Sequence, residues 1–79
     1  MNAHKVAVKT AKARRANIRD ERYWMKVGIK DAANQGKECM ARSIYYTENL
    51  DWLKKNGFQY TKHSHYEDLY IISWKDANI

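Results

Sequence analysis

Between Ala3 and Asn34, apolar side chains at Ala7, Ala11, Ile18, Met25, Ile29 and Ala32 recur at steps of three, four or seven residues. Such steps fall on one side of a helix. The Ala, Lys and Arg that dominate the segment lose little entropy on becoming helical. The pattern therefore predicts one long helix. Arg14 and Glu21 interrupt the stripe where its rhythm calls for apolar groups, and the first dozen residues offer it only small ones, so residues 1–12 are expected to fray. Asn34-Gln35-Gly36-Lys37 ends the segment, with Gly36 suited to a left-handed helix stop.

The next stretch, Glu38 to Tyr46, is mixed. Cys39, Met40 and Ala41 tolerate helix, whereas Ile44, Tyr45 and Tyr46 favour an extended chain, and a short strand is the preferred expectation. A second helix is then written from end to end. Thr47 is the predicted N-cap, with Glu48 and Asp51 in the first turn, where carboxylates meet the positive end of the helix dipole. Lys54 and Lys55 occupy the last turn, Gly57 follows Asn56 at the stop, and Leu50 and Leu53 form the buried face with Trp52 partly beside it. Phe58–Lys62 and Leu69–Trp74 read as strands joined by the polar connection 63–68. In the second of them Tyr70, Ile72 and Trp74 share one face while Leu69 and Ile71 point the other way, which places that strand centrally or at an interface. The predicted architecture is α+β: a long N-terminal helix, a short strand, a second short helix and a C-terminal β-hairpin.

Composition limits what this fold can be. At 79 residues the chain fits one domain, 1–79, with a shallow core. Three Trp, six Tyr and one Phe are more aromatic material than such a core hides, which points to an interface and a homo-oligomer. The sequence has no proline, linker, low-complexity tract or internal repeat. Nor does it have an apolar run long enough to span a bilayer or a signal-peptide pattern, and its single cysteine, Cys39, leaves no intrachain disulfide. A cytoplasmic location away from the membrane is the expectation.

Charge adds the candidate function. Residues 1–43 hold eleven Lys and Arg against four Asp and Glu, a balance of +7, while residues 44–79 hold four against five, a balance of −1. Along the first predicted helix Lys5, Lys9, Lys12, Arg15, Arg19, Arg22, Lys26 and Lys30 follow one another at steps of three or four. At about 100° per residue this basic stripe lies roughly a quarter turn from the apolar one. A merely solvated face would mix signs to gain pairs one turn apart. The near absence of interleaved acids favours an anion-binding surface, with Lys12, Arg15, Arg19, Arg22, Lys26 and Lys30 as its candidate residues. Tyr23 and Trp24, on the same helix, are candidates for stacking against a base, whereas the remaining aromatics are assigned mainly to packing.

Motifs for chemistry are missing. Gly28, Gly36 and Gly57 are isolated, so no glycine-rich loop cradles a phosphate. His63 and His65 could share a face with Cys39 or Glu67, but their spacing matches no compact zinc pattern and reads as an exposed polar turn. A Cys39–His63 nucleophile and base has no supporting third group. The chain is expected to be non-enzymatic, with no cofactor and no metal.

Ala32-Ala33-Asn34-Gln35-Gly36, Leu50-Asp51-Trp52-Leu53-Lys54-Lys55-Asn56-Gly57-Phe58 and Tyr70-Ile71-Ile72-Ser73-Trp74 together resemble the short accessory proteins of tailed bacteriophages, over about residues 25–74. The resemblance implies a role in early host takeover in the host cytoplasm, by inhibiting a host or defence protein or by capturing nucleotides used as defence signals. It transfers no catalytic residue, and the basic first helix is where such families differ most. Two helices followed by a hairpin are also similar to winged-helix modules, with one helix missing. Three partner classes follow: nucleic acid, ranked first for the charge footprint; an acidic host protein; and a small nucleotide held between subunits.

Overall fold

The computed structural model describes residues 1–76, with elements α1 (Ala3–Asn34), β1 (Cys39–Ser43), α2 (Thr47–Lys55), β2 (Gln59–Lys62) and β3 (Leu69–Ser73). This is the predicted α+β order. α1 runs unbroken for 32 residues, about 48 Å at about 1.5 Å per residue, and so accounts for most of the 51 Å long axis of the molecule. The Asn2 side chain caps its start by accepting the Lys5 N–H at 3.0 Å. Both helices end in the same motif. Gly36 and Lys37 donate to Ala33 and Ala32 at 2.9 and 3.0 Å, and Gly57 and Phe58 donate to Lys54 and Leu53 at 3.1 and 3.0 Å. Gly36 and Gly57 take φ of +79° and +82° to make these closures, a region where a side chain would be strained.

The three strands form an antiparallel sheet in the order β1-β3-β2, so β3 is central and the two-sided apolar pattern of that strand is explained. Register sorts the side chains into two faces. Met40, Ile72 and Tyr60 stand abreast on the inner face, where Met25, Ile44, Leu50, Leu53 and Ile72 form the core with Met40, Trp52, Phe58, Tyr60, Tyr70 and Trp74 packed around it. α1 crosses β1 closely at Gly28, where an added Cβ would stand 2.9 Å from Met40 Cε. On the outer face Ala41, Ile71 and Thr61 stand abreast, and all three are exposed.

The strand expected within 38–46 stops at Ser43, and Tyr45 and Tyr46 lie outside it. The cause is Glu21. Its carboxylate accepts the backbone N–H of Tyr45 at 2.8 Å and of Tyr46 at 3.3 Å, which removes both groups from strand pairing and turns the chain into α2. Thr47 is accordingly not the N-cap. Tyr46 holds that position in an extended conformation and offers no side-chain cap, while Thr47 is the first helical residue and donates its hydroxyl to Glu48 Oε1 at 3.1 Å. Only Glu48 is an acid of the first turn, and Asp51 falls beyond it.

Asn49 completes the junction and is fully buried. Its Nδ2 donates to the Ile18 carbonyl at 3.0 Å and to Glu21 Oε1 at 2.8 Å, and its Oδ1 accepts from Arg22 Nε at 2.9 Å. A buried amide has few partners to choose from, and here both of its ends are matched by α1. Replacing Glu21 by Ala strands the Tyr45 and Tyr46 amides and half of Asn49. We expect Glu21→Ala to cost about 2–4 kcal/mol and Glu21→Gln less, since one acceptor oxygen survives. Urea unfolding followed by far-UV circular dichroism measures this, and an unchanged midpoint in Glu21→Ala would remove the network from the account of stability.

Candidate nucleic-acid interface

All residues from Met1 to Arg15 are exposed, so the first third of α1 stands clear of the body as a helical arm. Its contact with α2 begins at Arg14. That guanidinium forms a paired bridge with Glu48, Nη1 to Oε2 and Nη2 to Oε1, the latter at 3.1 Å, and lies 5.5 Å from the centre of the Tyr46 ring. Arg14 and Glu21, the two residues that break the apolar stripe, are thus both attachment points for the start of α2.

The structure divides the basic stripe. Arg22 is half-buried, bonded to Asn49 and 5.8 Å from the Trp52 ring centre, and Lys26 Nζ lies 5.1 Å from the same ring. These two cations turn sideways and cover the exposed edge of α2, each contributing cation–π attraction to the contact. Lys5, Lys9, Lys12, Arg15, Arg19 and Lys30 are exposed and have no carboxylate partner among the described residues. Where Arg22 and Lys26 leave the outward side of the helix, Tyr23 takes their place. At about 100° per residue, Arg19, Tyr23 and Lys30 lie within about 40° of one another around the helix axis. The outward line therefore reads Lys5, Lys9, Lys12, Arg19, Tyr23, Lys30, with Arg15 at its border.

Tyr23 and Trp24 are 58% and 56% exposed, large values for rings that usually bury most of their surface. They touch each other edge to face, with centroids 5.1 Å apart and planes at 83°. Val27, one turn on, is exposed beside them. By contrast Trp52, Phe58 and Trp74 form a packed seam under α2, with centroid spacings of 6.1 and 6.3 Å. Tyr60 and Tyr70 pair at 5.7 Å.

The other candidate chemistry is dispersed. Cys39 pairs with Ser73 at one end of the sheet, while His63 bonds to Leu69 at the opposite end, so no Cys39–His63 pair forms. His63 Nδ1 accepts the His65 amide at 3.1 Å, and the His63 ring lies 5.3 Å from that of Tyr66. Among the described residues no three His, Cys, Asp or Glu side chains are gathered as a metal site, and no helix is long and apolar enough to cross a membrane. A shallow cleft of about 290 Å³ lies between Ser43, Tyr45, Tyr66, Glu67, Asp68 and Leu69. It carries two carboxylates and no cation, which is the wrong charge for a phosphate.

No family model, curated protein or solved structure matches this chain.

Spacing alone places all eight basic residues on one line, because a step of three and a step of four drift in opposite directions around a helix. The structure separates those facing solvent from those facing α2. The roles of Arg14, Glu21 and Asn49 are set by residues 24 to 34 positions away, and the only local sign of them is the broken apolar rhythm.

The Arg14 bridge makes a pH prediction. The Arg14 hydrogen bonds, chiefly, together with a backbone N–H and the Thr47 hydroxyl, lower the Glu48 carboxyl from an ordinary 4.5 to about 2. A depressed acid contributes stability above its unfolded value and loses it as the group protonates. Thermal unfolding curves of the parent protein and Glu48→Gln should therefore differ above about pH 4.5 and converge as pH falls towards about 2. The gap is small because both side chains are solvated. A gap independent of pH would show that Glu48 acts without its charge.

Proposed function

We propose that this is a small, basic, non-enzymatic binding protein that takes nucleic acid along the outward line of α1, in the manner of a phage-encoded accessory factor such as its sequence resembles. One observation carries the reading. Six cations, Lys5, Lys9, Lys12, Arg15, Arg19 and Lys30, line an exposed helix without a carboxylate partner among the described residues. A row of uncompensated positive charge, on a helix that is already ordered, attracts a polyanion and releases its counterions on contact. The remaining two members of the stripe support the surface from behind. Arg22 and Lys26 fix α1 to Trp52 and so hold the line straight against the body.

A second reading has its own observation. Tyr23, Trp24 and Val27 form an exposed apolar patch beside the cations, and Trp, Tyr and Arg are the residues that dominate protein interfaces. An acidic host or defence protein would meet both features. Capture of a small nucleotide has less support, since the cleft near Tyr45 and Tyr66 is acidic and any pocket between subunits would need an oligomer.

Fluorescence anisotropy with labelled oligonucleotides separates these readings. We expect binding that weakens steeply with salt. On duplex, a log–log slope of about −4.5 to −5.5 corresponds to five or six phosphate contacts. Changing Lys12, Arg15 and Arg19 together to Glu should abolish binding and leave the unfolding midpoint nearly unchanged, because all three are exposed and form no ion pair among the described residues. Arg22 is excluded from that variant because it holds Asn49. No binding to any nucleic acid at low salt, with stoichiometric capture of an acidic protein instead, would overturn the first reading in favour of the second.

A further inference from the structure

We infer that the nucleic acid taken by α1 is single-stranded, running along the outward line with an unpaired base stacked on the Tyr23–Trp24 pair. This rests on the proposed nucleic-acid function and narrows it. Three features lead to it.

The first is where the cations stand. A helix inserted in the major groove meets a phosphate backbone on each flank, so it needs cations on both sides. On the arm, Lys5, Lys9 and Lys12 occupy one side, while the opposite side is Ala3, His4, Val6, Ala7, Thr10 and Ala11. That side offers a groove wall no Lys or Arg, and His4 and Thr10 are its hydrogen-bonding side chains. A single strand has one backbone, and one line of cations is what it requires.

The second is the bulk of the body. From Arg14 onward α2 covers one side of α1 through Glu48, Asn49 and Trp52. The length of α1 that carries Arg19, Tyr23 and Lys30 is therefore open on its outward side only. Along that open side a flexible strand can lie.

The third is Tyr23 itself. Its ring interrupts the row of cations between Arg19 and Lys30, more than half exposed and braced edge to face by Trp24. A strand whose phosphates follow the row brings its bases past this pair. Duplex bases are already stacked on one another and expose no face to it, whereas an unpaired base does, and base–aromatic stacking tolerates any sequence.

The test compares a fluorescein-labelled oligothymidylate, an oligouridylate of the same length and a mixed-sequence DNA duplex of that length, each titrated with the full chain and with Tyr23→Ala/Trp24→Ala. Both substitutions are on the exposed side of α1, and circular dichroism checks that the fold is intact. We expect the parent protein to bind one or both single strands about tenfold or more tighter than duplex. The double variant should lose about that factor on single strands, as removal of stacking implies, with duplex affinity and salt slope unchanged. Single-strand binding should also quench tryptophan emission in the parent protein, with the quench diminished in Trp24→Ala. Duplex bound as tightly as single strands, or a double variant that weakens both alike or neither, would overturn the inference while leaving the nucleic-acid function standing. Failure of all three probes to bind at low salt would overturn both.

Discussion

The Glu21 carboxylate is the contact on which the arrangement of this small protein turns. α2 starts at a residue, Tyr46, whose side chain does not cap it, and the two amides that lead into it, of Tyr45 and Tyr46, are received by the middle of α1. Because that one carboxylate also receives Asn49, the position of α2 along α1 is fixed to a single register. A slide by one turn would leave a buried amide and two backbone N–H groups without partners, each a penalty of about 1–3 kcal/mol. The apolar core of Met25, Leu50, Leu53, Ile44 and Ile72 supplies attraction but little directionality. The polar junction specifies which of several apolar packings is taken.

Much of the fold was legible because much of it is locally encoded. The bounds of α1, the glycine stops at Gly36 and Gly57, the cationic last turn of α2 and the two-sided strand Leu69–Ser73 each follow from neighbours a few residues apart. What could not be read was the start of α2. Thr47 has the chemistry of a cap, and within its own segment it is the best candidate. Glu21 instead fixes the approach to the helix, since its carboxylate holds the Tyr45 and Tyr46 amides, and the helix starts one residue earlier, with Tyr46 at the cap. The β-favouring run Ile44-Tyr45-Tyr46 misleads because only the Ile44 amide stays with the sheet side, bonded to the Asp68 carbonyl, while those of Tyr45 and Tyr46 are committed to α1.

The candidate site was legible in composition and less so in geometry. Net charge and spacing locate it on α1, but they treat Arg19 and Arg22 alike. In the folded chain one points to solvent and the other lies against Asn49 and Trp52. The difference arises from α2, whose sequence gives no hint of which turn of α1 it will cover. Tyr23 stands one turn from Arg19 by spacing alone, and what the fold adds is that the Arg22 and Lys26 side chains turn to Trp52 and leave it exposed in the row.

The helical arm has a consequence of another kind. A helix of about a dozen residues is marginal in water by itself, and residues 3–13 have no side chain buried against the body. Their order is inherited from the anchored turns that begin at Arg14. Sequence change is therefore constrained differently on the two sides of that residue. Beyond it, each position answers to packing as well as to any partner. Before it, helix propensity and any partner are the sole constraints, so the arm is the part of this chain whose surface can change without renegotiating the fold.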